Sequence, residues 1–164
     1  MARLKNALTG YFIQKWSEGD TTAGEEWLEL ARYIETVDDA SNEESDAIGF
    51  YDGDGNPSDE VTSHQLGYEF SGYFDADDDA MSLIEGMIGT AGIERKVWLK
   101  VVSADGKRER IGKATVKEPV AQVGDANEYG DFSCTITYDQ RADWENTTAP
   151  EALAYKTVVD TPEA

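Results

Sequence analysis

Few side chains in this sequence have the types and spacing needed for nucleophilic or metal chemistry. The 164 residues include one cysteine, Cys134, and one histidine, His64. A zinc site needs several Cys or His ligands, so such a site within one chain is excluded, as is an intrachain disulfide framework. Cys134 shares an apolar alternation with Phe132 and Ile136. This pattern predicts a small core residue, and a catalytic thiol is not expected.

A second candidate is the run Asp52-Gly-Asp54-Gly-Asn56, which places oxygen ligands at alternate positions. It begins like the calcium loop of an EF-hand, but that loop requires Gly and then Glu at later positions. This sequence has Pro57 and Ser63 there. We therefore interpret residues 52–57 as a turn.

A third candidate is the carboxylate cluster formed by Asp75 and residues 77–79. It precedes an apolar stripe at helical spacing, which predicts a helix over about residues 77–89. Asp75 and Asp77 are then expected to cap its N-terminus, where carboxylates accept orphan N–H groups and oppose the helix dipole. Weak cation binding by the acidic clusters is left open. The sequence contains no nucleophile motif, phosphate loop or dinucleotide fingerprint, so we predict no enzyme activity, cofactor or metal.

The charge balance limits the partners. Lys plus Arg is 14 and Asp plus Glu is 34, which gives a formal net charge of −20. Gripping phosphates requires Lys and Arg, so the balance argues against a nucleic-acid reader and against an anionic membrane surface. No apolar run approaches the roughly 18 residues of a membrane helix, and we expect a soluble product without secretion.

The charge is unevenly distributed. Residues 38–62 are very acidic and poor in large apolar side chains, which predicts a projecting loop or hairpin. Residues 91–117 hold eight bases against three acids. The two blocks could neutralise each other internally or meet across copies of the chain, and a solvated surface is the competing interpretation. The residues assigned to self-association on this hypothesis are Arg95, Lys96, Arg108, Arg110, Lys113, Asp38, Asp39, Glu43, Glu44 and Asp54.

The remaining pattern is mainly that of strands. Alternation predicts strands over residues 10–16, 66–74 and 132–138, and residues 95–117 read as a β-hairpin turning at residues 103–106. Residues 48–51 are a short strand candidate, and Pro119 is expected to end the return strand or mark an edge. Residues 27–37 fit either a helix or a strand. We assign residues 1–146 to a single domain and residues 147–164 to a C-terminal arm.

The succession of elements resembles a known family. An acidic connection leads into the strand Gly67-Tyr-Glu-Phe-Ser-Gly-Tyr-Phe74, followed by the Asp-rich helix, the hairpin of residues 97–116, a Gly/Asp/Asn loop and the strand Asp131-Phe-Ser-Cys-Thr-Ile-Thr-Tyr138. This layout, over about half the chain, resembles the major tail (tail tube) protein of long-tailed bacteriophages, particularly those infecting Gram-positive hosts.

The resemblance implies a β-sandwich or small barrel with one flanking helix, the long acidic loop and terminal arms. It implies hexameric rings that stack into a hollow tube, contacts with the tape-measure and other tail proteins, and transient passage of DNA without a membrane. The location implied is the virion tail, after synthesis in the host cytoplasm. Alternatives are a single-ring connector or tail terminator protein and an acidic DNA mimic.

Overall fold

The computed structural model describes residues 3–146. It is mainly β with one flanking α-helix, which confirms the predicted fold class. The strands are β1 (Gly10–Lys15), β2 (Leu28–Glu29), β3 (Ile34–Asp39), β4 (Asn42–Gly49), β5 (Pro57–Gln65), β6 (Gly67–Tyr73), β7 (Lys96–Val102), β8 (Arg108–Val123), β9 (Asp131–Tyr138) and β10 (Glu145–Asn146), and the helix is α1 (Asp79–Glu85). Short 3-10 helices cover Asn6–Leu8, Tyr51–Gly53 and Gly92–Arg95. The predicted C-terminal arm, 147–164, lies outside the described residues.

One antiparallel sheet forms the body, with the strand order β2-β1-β7-β8-β9-β6-β3, and β10 pairs with the start of β8. The sheet curls strongly. Tyr11 on β1 makes edge-to-face contacts with Tyr68 and Phe70 on β6, at ring-centroid distances of 5.5 and 5.1 Å. Three strands lie between β1 and β6 in the sheet. The fold is therefore a curled half-barrel, in which β1 and β6, each next to an edge strand, approach each other around a shared core.

The core lies on the inner face of this curl, where α1 covers it. Strand alternation directs Leu99, Phe70 and Ile136 inward, and Met81 and Ile84 of α1 pack against the same cluster. Burial of each such side chain contributes roughly 1.5–3 kcal/mol. Cys134 belongs to this cluster and is 1% exposed, which confirms its core assignment. Burial raises the pKa of its thiol to about 12, so the thiol stays protonated at neutral pH.

Strand β8 is longer than its sequence pattern indicates. Pro119 does not end it, because two irregularities in its register with β9 absorb extra residues, between Lys117 and Val120 and between Ala121 and Val123. Glu118 and Gln122, at these points, have φ angles of 50° and 58°. Bulges bend a strand and increase its twist. The proline therefore occupies a bulge, where it removes no regular ladder hydrogen bond.

The structure decides two open predictions and corrects the bounds of a third. Residues 27–37, which fitted either a helix or a strand, form two strands, β2 and β3, joined by a turn in which Tyr33 has a φ of 58°. Residues 38–62, for which a projecting loop or hairpin was predicted, form a hairpin: Asp38 and Asp39 end β3, β4 and most of β5 follow, and the candidate strand 48–51 only overlaps the end of β4. The helix spans Asp79–Glu85 and not 77–89, because Gly86 follows it and a turn continues the chain.

The antiparallel register defines two ends of the body. The connection between β7 and β8, the start of β6 and the end of β9 lie at one end, which we call the hairpin end because β4 and β5 project from it. The opposite end, here the loop end, carries residues 74–78 after β6 and residues 124–130 between β8 and β9. The backbone N–H of Phe74 donates to the carbonyl of Gly130 there, at 2.9 Å, and joins the two connections.

Candidate functional site

The most prominent surface feature is the β4–β5 hairpin. It continues the β3–β6 pair without a break in register, since Asp39 lies opposite Tyr68 and Asn42 lies opposite Gln65. The N–H of Ala40 bridges the junction by donating to the carbonyl of Gly67, at 3.0 Å. The eight residues of β4 extend roughly 25 Å beyond the body at the usual strand rise. The hairpin is therefore an arm built from the prolonged edge of the sheet.

This arm has little to stabilise it within the chain. A two-stranded hairpin alone is marginally stable in water, and β4 and β5 form a sheet of their own. Asp46 lies directly opposite Glu60, a like-charge pairing that destabilises a ladder. Near its tip, Phe50 is 54% exposed and Tyr51 is fully exposed. The acids Glu43, Glu44, Asp46, Asp52, Asp54, Asp59 and Glu60 are accompanied by no Lys or Arg. These properties leave the arm exposed, acidic and weakly stabilised by the rest of the described residues.

The predicted acidic assembly residues fall into two groups. Glu43, Glu44 and Asp54 lie on this arm, and Glu43 approaches His64 Nδ1 at 3.6 Å. Asp38 and Asp39 lie at its base. The Asp39 carboxylate accepts hydrogen bonds from the Oγ and N–H of Ser41, at 2.6 and 3.0 Å. These bonds lower the pKa of Asp39 and tie the chain at the junction between body and arm.

Two of the predicted basic residues bond within their own subunit. Lys96 Nζ donates to Asp139 Oδ2 at 2.9 Å and to Thr115 Oγ1 at 2.6 Å. Arg95 Nε donates to the carbonyl of Thr90 at 3.0 Å. Both side chains therefore contribute to the folded chain itself. Their proposed contact with an acidic surface on another copy remains a prediction.

The other predicted basic residues pack on aromatic rings. Arg110 stacks over Trp144 with its guanidinium carbon 4.3 Å from the ring centre, and Arg108 lies at 5.2 Å from the same ring. Lys113 Nζ lies 3.9 Å from the ring centre of Trp16. Such contacts contribute about 0.5–1 kcal/mol at exposed sites. The sequence pattern gave no indication of Trp144 as this platform, because residues 140–144 have no periodicity.

Arg110 also contacts the body of the fold. One terminal nitrogen donates to the Tyr68 hydroxyl at 3.4 Å, whereas the buried Nε has no partner among the described residues. A cleft of about 580 Å3 opens beside it, lined by Gln65, Arg141 and Trp144 among others. Arg110 is therefore a poor position for testing surface charge, since its replacement disturbs packing.

The predicted helix caps are wrong in detail. Asp78 is the residue at the N-cap of α1, and its side chain makes no capping hydrogen bond. Asp75 instead accepts the N–H of Asp77 at 3.0 Å and pairs with Arg32 Nε at 2.9 Å. Desolvation raises the pKa of Asp78. The apolar spacing correctly predicted that the aspartate cluster precedes the helix. It could not show that the chain makes a further turn before α1 begins.

Sequence reasoning missed a buried ion pair on the outer face of the sheet. Lys100 and Glu109 are 6% and 7% exposed, and Lys100 Nζ lies 4.0 Å from Glu109 Oε2. The ammonium also lies 5.1 Å from the ring centre of Phe12 and 5.2 Å from that of Trp27. The hairpin turn sets Val102 opposite Glu109. That register, together with a lysine inside an apolar run, is the signal that could have identified the pair.

Replacing Glu109 with Ala is expected to lower the free energy of unfolding by about 3 kcal/mol, because it leaves the Lys100 ammonium buried without a counter-charge. The double variant Lys100→Met/Glu109→Met should recover most of this loss, since two apolar side chains need no pairing. Urea denaturation followed by tryptophan fluorescence measures both. Glu25→Ala, at an exposed position, is the matched control. Equal stability of Glu109→Ala and the control would contradict a structural role for the pair.

Among residues 3–146, no three His, Cys, Asp or Glu side chains are grouped so that they could hold a metal ion. The same residues include no helix that is long and apolar enough to span a membrane.

No protein-family model matches the sequence, and no curated protein matches it. Solved structures do match the fold. The SPP1 tail tube aligns with a TM-score of 0.63 at 12% identity, over 98% of this chain and 88% of that one. A chain from the tail of an empty gene transfer agent particle aligns with a TM-score of 0.60 at 13% identity, over 87% of this chain and 99% of that one. The tube-terminating cap of the anti-feeding prophage aligns with a TM-score of 0.52 at 15% identity, over 90% and 93% of the two chains.

The chain has the tail-tube fold. The alignments with the SPP1 tail tube and with the gene transfer agent tail each cover at least 87% of both chains.

Proposed function

We propose that this chain is the structural subunit of a phage-type tail tube, which self-assembles into hexameric rings that stack into a hollow conduit for DNA. The observation that carries the proposal is the unsupported β4–β5 arm on a body with the tail-tube fold. An arm roughly 25 Å long reaches beyond its own ring, and it gains its missing contacts on the next one. The match to a tail determined with C6 symmetry supports the six-fold ring.

This function requires the chain to associate with further copies of itself. The tape-measure protein and other tail proteins are further partners in the proposal, and DNA passes through without specific binding. A strongly acidic chain suits such a conduit, because fixed negative charge disfavours adhesion of phosphates. The role is mechanical, not catalytic. The proposed location is the virion tail after synthesis in the host cytoplasm, in a phage of the type that infects Gram-positive hosts.

Electron microscopy of the purified protein tests the proposal. The expected result is hollow tubes of uniform diameter, with six-fold symmetry in averaged end views and a regular axial repeat. Protein that stays monomeric over a wide range of concentration and salt would overturn it. Mass photometry on the same samples separates monomers, single rings and longer assemblies.

A second candidate is a single-ring connector or tail terminator. The match to a tube-terminating cap, at a TM-score of 0.52, favours keeping it. Single rings that never stack would support this role over the tube. Mixing such rings with preformed tubes should then cap their ends and stop growth, which is visible as a shorter length distribution.

A further inference from the structure

The β7–β8 connection forms a small cationic projection at the hairpin end. Lys107 and Arg108 are exposed there, and residues 3–146 provide no ion pair for either. Asp105 lies in the same turn, but its carboxylate is engaged locally by Ser103 Oγ at 2.6 Å and by the N–H of Lys107 at 3.0 Å. These bonds hold the turn in one shape, in which the Lys107 side chain is exposed and the Arg108 guanidinium lies 5.2 Å from the centre of the Trp144 ring.

The loop end carries an open acidic cleft. It has a volume of about 510 Å3 and is lined by Asp75, Asp125 and Glu128 together with Phe74 and Gln122. Asp75 is already paired with Arg32, whereas Asp125 and Glu128 are exposed on the β8–β9 connection. Lys and Arg side chains are missing from its lining. The cleft is therefore complementary in charge to the turn at the other end.

The topology places these two surfaces at opposite ends of one strand. Strand β8 begins at Arg108, beside the turn, and ends at Val123, beside the cleft. Copies stacked in the same orientation along this strand direction bring the turn of one copy to the cleft of the next. The acidic arm leaves the same end from the β3–β6 pair, which β9 separates from β8 in the sheet.

We propose that the Lys107–Arg108 turn of one copy inserts into the Asp125–Glu128 cleft of a second copy of this chain, as a head-to-tail contact between successive rings. The inference rests on the proposed tube and specifies its stacking contact. A contact between two different surfaces repeats without closing and generates a filament. Complementary charges fix its direction, because turn-to-turn and cleft-to-cleft encounters oppose like charges.

A pair of charge-reversal variants tests the contact. Lys107→Glu/Arg108→Glu makes both ends acidic, and Asp125→Lys/Glu128→Lys makes both ends basic. Each variant alone should lose stacking and leave single rings at low salt. An equimolar mixture of the two should restore tubes, because each variant then supplies the end that the other needs. Restoration also shows that both variants are folded.

The outcomes separate this inference from the proposed function. Tubes formed by either variant alone, or a mixture that stays as single rings, would overturn the contact while wild-type tubes still support the function. If the wild-type protein forms no tubes, sedimentation velocity of the two variants still decides the contact. The mixture should sediment faster than either variant alone, and unchanged sedimentation would refute it. The matched control is Lys117→Glu/Glu69→Lys, at exposed mid-strand positions of β8 and β6 that both lie opposite Thr135 of β9, which should stack like the wild type.

Discussion

Removal of the β4–β5 arm is expected to abolish tubes and leave a folded body. The deletion is well defined, because the register places Ser41 opposite Leu66 where the ribbon leaves the sheet. Replacing residues 42–65 with Asn-Gly supplies the two-residue turn that matches strand twist. The core cluster contains no residue of the removed segment. The loss should therefore fall on contacts between subunits and not on the folding of each one.

Two measurements check this expectation. Circular dichroism and thermal unfolding should show a body whose midpoint stays within a few degrees of the wild-type value, and electron microscopy should show no tubes. Asp46→Asn/Glu60→Gln is the matched control, since it keeps the arm and relieves its like-charge pairing. That control should still form tubes. Normal tubes from the deletion variant would refute a stacking role for the arm.

Replacing Gly72 with Ala is expected to cause a large loss of stability. A Cβ atom there would lie 2.8 Å from the Cα of Ile34 and even closer to the carbonyl oxygen of Tyr33. Both obstacles are backbone atoms of the chain entering β3, so no side chain can rotate away. The same carbonyl accepts the N–H of Tyr73 at 3.0 Å. Relief of the clash must separate β3 from β6 at the base of the arm.

The expected cost is about 3 kcal/mol or more, at the upper end of overpacking effects. For a domain of this size it corresponds to a fall in melting temperature of roughly 10 °C. Differential scanning calorimetry measures it. Gly53→Ala is the control, because its added Cβ meets nothing within 4 Å. If the melting temperature of Gly72→Ala equals that of the control, β3 and β6 can separate at this point without loss of stability, and the prediction is wrong.

The body of the fold could be predicted because its strands face a core. Alternation in β6 and β9 follows from one buried face and one exposed face, and the β7–β8 turn has residues typical of hairpins. The arm could not be predicted in this way. Its strands are exposed on both faces, so no apolar alternation marks them. Acidic composition and the scarcity of large apolar side chains indicated a projecting loop or hairpin, but not its strand bounds or register.

The candidate site was predicted less well than the fold. Charge clustering identified the basic block, but the intrasubunit bonds of Lys96 to Asp139 and of Arg95 to Thr90 depend on segments distant in sequence. The Arg110–Trp144 stack likewise joins residues that are distant in sequence. Lys107 and Asp125, which carry the inferred contact, stand out only once topology places them at opposite ends of β8.

The continuous register from β3–β6 into the arm has a mechanical consequence. Tension applied at the tip along the length of the arm runs parallel to the strands, so it loads the seven β6–β9 residue pairs in shear. Their hydrogen bonds then share the load and must yield together, whereas a peeling force would break them one at a time. The arm should therefore resist pulling along its length far better than it resists bending.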